Sequence, residues 1–98
     1  MSGDLLVHSL FIGSRDGSDF TDGDRTAVTE IIGREFDSYT ISHADGYFHG
    51  RKVATLVVKI ASNNRVKVAN TVRNLGLHLH QQAIGLEVNG RYQSIATD

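Results

Sequence analysis

The chain has 98 residues with no cysteine and no proline, and its 10 lysines and arginines stand against 11 aspartates and glutamates for a formal charge of -1. A chain this short buries only about 60 to 65 % of its unfolded surface, so one domain over residues 1–98 is expected and a second core is excluded. The composition also excludes disulfides and thiolate metal sites, and it lacks the global basic excess on which nonspecific nucleic-acid binding draws.

Residues 5–13, L-L-V-H-S-L-F-I-G, form a short apolar run that ends in glycine and suits a buried strand. The following stretch, residues 14–24, is rich in turn formers and acids and reads as a loop. Within it Thr21 and Asp24 have capping-box spacing, and Asp22 and Asp24 would complement the positive end of a following helix. From residue 25 to 36 the apolar residues Ala27, Val28, Ile31, Ile32 and Phe36 recur three and four apart, which predicts an amphipathic helix. Residues 38–43 alternate, with Tyr39, Ile41 and His43 on one side, as in a half-exposed strand.

After a polar loop, residues 53–61 are the most apolar part of the chain and read as a central strand. Ser62-Asn63-Asn64 interrupts them and offers an N-cap. A second helix over residues 65–77 buries Val68, Ala69, Val72 and Leu75, with Gly76 expected to mark its fraying end. Residues 83–88 and 91–96 are two further strands joined by Asn89-Gly90, the strongest short signal for a type I′ hairpin. The order β-α-β-β-α-β plus a C-terminal strand predicts an α+β fold of the ferredoxin-like kind, with two helices on one face of an antiparallel sheet.

Two helices cover one face only, yet the strands are apolar on both. Leu6, Leu10 and Ile12 oppose Val7 and Phe11, and Leu56, Val58 and Ile60 oppose Val53 and Val57. Soluble monomers rarely expose such a surface, so a homo-oligomer with packed sheets is expected, a trimer first. No apolar run approaches the roughly 20 residues that span a bilayer, and the opening Met-Ser-Gly-Asp has no basic segment before an apolar one, which predicts a cytoplasmic protein with no membrane partner.

The chemistry concentrates between residues 41 and 58. His43, Asp45, Tyr47 and His49 are spaced by two, so an extended chain would turn all four to one side as a ligand-lining face. Phe48 adds an apolar surface, and Arg51 and Lys52 are candidate phosphate partners. A plainer reading makes Asp45-Gly46 an ordinary turn in a solvated loop. His78 and His80, with His43 and His49, have the residue type but no recognised spacing for zinc, so no metal and no cofactor are expected. Gly13-Ser14-Arg15-Asp16-Gly17 follows a strand and borders a possible phosphate site, but it matches no nucleotide-binding fingerprint.

L-F-I-G at residues 10–13, T-I-S-H-A-D-G-Y-F-H-G at residues 40–50 and Q-Q-A-I-G-L-E-V at residues 81–88 resemble small phage and bacterial proteins of PII-like architecture, including the phage S-adenosylmethionine lyases. The resemblance implies a trimer whose ligands lie in clefts between subunits, closed by the loop between the second and third strands. It also implies a catalytic role for Tyr47. In the lyases a glutamate follows before the third strand. Here no acid lies between Tyr47 and Ile60, and Arg51, Lys52 and Val53 occupy that region. This departure moves the expected function from turnover toward binding: a virus-type homo-oligomer that holds a nucleotide-like small molecule and sequesters a host immune signal. The alternative is an S-adenosylmethionine lyase with an atypical site, releasing methylthioadenosine when the substrate carboxylate attacks its own chain.

Overall fold

A computed structural model describes residues 5–97, so the opening residues used above to argue against a leader lie outside the described part. The elements follow the order β1 (Val7–Gly13), α1 (Asp22–Glu35), β2 (Tyr39–Phe48), β3 (Arg51–Ala61), α2 (Arg65–His78), β4 (Ala83–Val88) and β5 (Arg91–Ala96). The strands form one sheet in the order β2-β3-β1-β4-β5, with every neighbouring pair antiparallel. This is the expected ferredoxin-like α+β arrangement extended by one edge strand. Among the described residues no helix is long and apolar enough to cross a membrane.

The core lies between the sheet and the two helices. Leu10, Ile12, Leu56, Val58 and Ile60 from the central strands are fully buried against Val28 and Ile32 of α1 and Val68, Val72 and Leu75 of α2. Their alternate neighbours face away: Phe11, Val53 and Val57 are half-buried, and Val7 is exposed. His8 is buried with its Nε2 2.9 Å from the Ser62 carbonyl, a contact that ties the start of β1 to the end of β3.

Several boundaries differ from the sequence expectation for local physical reasons. β1 begins at Val7 rather than at residue 5. α1 begins at Asp22 because Thr21 is its N-cap: Thr21 Oγ1 accepts from the Asp24 N–H at 3.0 Å, and Asp24 Oδ2 accepts from the Thr21 N–H at 3.1 Å. The capping box therefore starts the helix three residues before the apolar stripe shows it.

At the other helix, Asn64 is the N-cap, accepting from the Lys67 N–H at 3.0 Å. Gly76 is not the fraying end. α2 continues to His78 and closes in a Schellman motif, in which Gln81 N–H donates to the Gly76 carbonyl at 2.8 Å and His80 N–H to the Leu77 carbonyl at 3.4 Å. His80 takes the left-handed position, with φ of 58°. Gly76 instead packs against Thr97, whose side chain occupies the space a Cβ would need.

The largest departure is between β2 and β3. The segment expected as a polar loop is paired throughout, from Tyr39↔Ile60 to Phe48↔Arg51, and closed by the two-residue turn His49-Gly50 with φ of 51° and 75°. Both positive φ values belong to the type I′ class of tight hairpin, so the long closing loop of the PII-like expectation is here a continuous β-hairpin.

Candidate functional site

The hairpin sorts the expected site residues by strand alternation. His43, Asp45 and Tyr47 lie on the helix-side face of β2, in register with Leu56, Ala54 and Lys52 of β3. They extend beyond the part of the sheet that the helices cover, and all three are exposed. Lys52 Nζ lies 3.7 Å from Asp45 Oδ2, diagonally across the hairpin, with both side chains 62 % exposed. Phe48 and Arg51 face each other on the opposite side of the sheet. His49 sits in the turn, its ring edge-on to Phe48 with centroids 4.3 Å apart. The structure therefore brings His43, Asp45, Tyr47 and Lys52 to one face, and Phe48 and Arg51 to the other.

That other face carries a cavity of about 820 Å³ at the end of the sheet where β1 runs out. Its floor is Phe11 and Gly13 of β1, Val53 and Thr55 of β3, and Gly85 of β4. The glycines let neighbouring side chains pack against the backbone of the floor. A Cβ on Gly46 would stand 2.5 Å from Thr55 Oγ1, and one on Gly85 would stand 2.6 Å from Tyr92 Cζ, so the Tyr92 ring lies directly over bare backbone. Tyr92 also meets Phe11, with centroids 6.0 Å apart and planes tilted by 52°. On the hairpin side the wall is Tyr47, Phe48, Arg51 and Lys52; on the β5 side it is Tyr92 and Ser94, with Gln81 and Ala83 between.

The β1–α1 loop closes the end of the cavity. Ser14 N–H donates to the Ala54 carbonyl at 2.8 Å, and Ala54 N–H donates to the Gly17 carbonyl at 3.2 Å, so the loop is stitched to β3. Gly17 N–H donates to the Ser14 carbonyl at 3.3 Å. These bonds commit the Ser14 and Gly17 N–H groups within the fold. Asp16 Oδ1 accepts from Ser18 Oγ at 2.6 Å, from Ser18 N–H at 3.0 Å and from Ser14 Oγ at 3.0 Å. These bonds, led by the Ser18 hydroxyl, hold its carboxyl below the ordinary value of 3.8. Arg15 lines the same cavity and forms no ion pair among the described residues.

Sequence reasoning placed the 13–17 loop beside a cleft but missed Phe11, Gly85, Tyr92 and Ser94 as site residues. Their signal is present only in the register: once Asn89-Gly90 fixes β4 against β5, Gly85 faces Ser94 and Tyr92 stands diagonally across. A smaller cavity of about 390 Å³ lies between the β1–α1 loop and the end of α2, lined in part by Asp16, Asp24, His78 and His80. His43 and His49 do not line it, and among the described residues no group of three or more metal-ligating side chains is placed to hold an ion.

No protein-family model and no curated protein matches the chain. Among solved structures it is similar to a phage S-adenosylmethionine lyase in complex with S-methyl-5'-thioadenosine, with a TM-score of 0.75 and 15 % identity, covering 98 % of this chain and 92 % of that one. It is also similar to a phage S-adenosylmethionine lyase in the apo state, with a TM-score of 0.65 and 14 % identity, covering 93 % of this chain and 88 % of that one. At this identity the likeness is one of fold, and it bears out the fold-level resemblance found in the sequence.

Proposed function

We propose that this protein is a small cytoplasmic oligomer that holds an adenosine-type small molecule in the cleft on its open sheet face. The carrying observation is the cleft's construction: a mostly apolar floor that includes Phe11, Val53 and Gly85, flanked by Tyr92 on one side and by the hairpin on the other. Flat aromatic ligands bind in apolar clefts where aromatic side chains meet them. The fold neighbour that contains S-methyl-5'-thioadenosine supports the same ligand class, since its fold covers nearly all of this chain. An oligomer, with a trimer as the first choice, follows from the uncovered sheet face, on which Val7 is 51 % and Tyr92 65 % exposed. A second copy packed there would close the cleft. Binding without turnover suits a protein that sequesters a nucleotide-like signal.

In this reading Phe48 and Tyr92 contact the base, Tyr47 and Lys52 reach the edge of the cleft from the hairpin, and His43 and Asp45 on the helix-side face lie outside it. Differential scanning fluorimetry with adenosine, S-methyl-5'-thioadenosine, adenosine 5'-monophosphate and cyclic dinucleotides tests it. A ligand at about a hundredfold excess over its Kd stabilises the folded state by about 2.7 kcal/mol. A flat melting temperature across the whole panel would sink the proposal.

The second reading is an S-adenosylmethionine lyase, favoured by the fold neighbours. The substrate carboxylate oxygen would form a bond to the side-chain carbon that bears sulfur. The carbon–sulfur bond would break, and sulfur would keep the electron pair, leaving neutral methylthioadenosine. Such a reaction asks mainly for positioning, so the missing acid does not by itself forbid it. Mass spectrometry for methylthioadenosine release decides it: product from the parent protein that falls at least about tenfold in Tyr47→Phe supports turnover, and no product above the buffer control leaves binding.

A further inference from the structure

We infer that the cleft selects a ligand bearing a phosphate over a neutral or sulfonium one, with Arg15 and Arg51 as the anion-recognising pair. This rests on the cleft being the ligand site. Three cations, Arg15, Arg51 and Lys52, line the cavity against a single carboxylate, Asp16. The surrounding contacts separate the three. Lys52 has Asp45 at 3.7 Å and is already partnered. Arg15 and Arg51 are exposed and make no ion pair among the described residues. Asp16 forms no ion pair with Arg15 among the described residues, and its Oδ1 accepts three bonds from its own loop.

The positions fit one ligand read from two ends. Arg15 follows the end of β1 and Arg51 opens β3, so both lie past the apolar floor of Phe11, Val53 and Gly85. A base over that floor would direct its ribose 5' end toward the two guanidinium groups, whose planar forks match phosphate oxygens. A sulfonium at the same place would meet like charge. Neither arginine was distinguished from Lys52 by the sequence, in which Arg51 and Lys52 are adjacent and Arg15 sits in an acidic loop.

Isothermal titration of three ligands that share adenosine but differ at the 5' position tests the inference: neutral S-methyl-5'-thioadenosine, anionic adenosine 5'-monophosphate and cationic S-adenosylmethionine. The monophosphate is expected to bind at least about tenfold tighter than the thioether. That margin should shrink between about 0.05 M and about 0.3 M salt, because both arginines are exposed and screened. Arg15→Gln and Arg51→Gln should each lower monophosphate affinity more than thioether affinity and so erase most of the margin, and circular dichroism should show both variants folded. Equal binding of thioether and monophosphate, tighter binding of S-adenosylmethionine, or a margin that survives both substitutions would overturn the charge assignment and leave the cleft standing. If none of the three binds, the cleft reading falls and this inference with it.

Discussion

Replacing Gly76 by alanine pits helix propensity against packing, and the structure decides which wins. In an exposed helix the change would stabilise by about 1 kcal/mol, since alanine loses less backbone entropy than glycine. Gly76 is buried, however, and a Cβ there would collide with Thr97 Cβ, Cγ2 and Oγ1 together. Thr97 cannot yield easily. It is 4 % exposed, its N–H donates to the Gln82 carbonyl at 2.9 Å, and its hydroxyl donates to the Gln81 carbonyl. Overpacking of this kind costs about 1–3 kcal/mol, and a displaced hydroxyl forfeits about another 1 kcal/mol. The net expectation for Gly76→Ala is a loss of about 1–3 kcal/mol, read as a lowered urea midpoint with an unchanged slope. Thr97→Gly removes the colliding atoms, so in that background the same substitution should stabilise by up to about 1 kcal/mol. A higher midpoint for Gly76→Ala in the parent protein, or the same effect in both backgrounds, would refute the packing argument.

Two further outcomes follow from local geometry. His80 holds φ at 58° in the Schellman cap of α2, so His80→Gly should raise the melting temperature by about 2–4 °C, the relief of a left-handed backbone less the entropy that glycine adds to the unfolded chain. Asp16 has its folded pKa held below 3.8, so its contribution is complete above the unfolded value and is lost as pH falls through the folded one. Asp16→Asn should therefore lower stability at neutral pH and flatten the acid limb, with the difference from the parent closing as pH falls below about 4, as measured by urea titrations across that range.

The side of the sheet that meets the helices was legible because one-dimensional period encodes it. Val28, Ile32, Val68, Val72 and Leu75 recur at helical spacing, and each is fully or almost fully buried. β4 and β5 match their expected bounds residue for residue, because Asn89-Gly90 fixes both turn and register, with φ of 54° and 77°. The hairpin at the other edge was hidden by a stronger decoy. Asp45-Gly46 carries the usual turn dipeptide, yet Gly46 sits in mid-strand because the Thr55 hydroxyl fills the place of its Cβ. The true turn, His49-Gly50, has histidine where asparagine or aspartate is usual. The cleft was less legible still, since Phe11, Gly46, Thr55, Gly85 and Tyr92 come from five strands and meet only once the strand order is known.

The two faces of the sheet therefore carry different kinds of information. The helix-covered face needs only apolar residues of suitable volume at the right period, a demand many sequences meet, and a TM-score of 0.75 at 15 % identity is what such tolerance produces. The open face, on the proposed reading, answers to charge and shape at single positions. Between Tyr47 and Ile60 this chain places Arg51, Lys52 and Lys59 and no acid, so any carboxylate chemistry must come from elsewhere in the fold or from the ligand itself. Among the described residues the one carboxylate lining the cleft is Asp16, and its Oδ1 is committed to the serines of its own loop. On the proposed reading the edge of the cleft carries two guanidinium groups with no ion-pair partner among the described residues, which makes ligand charge the property a binding assay should resolve first.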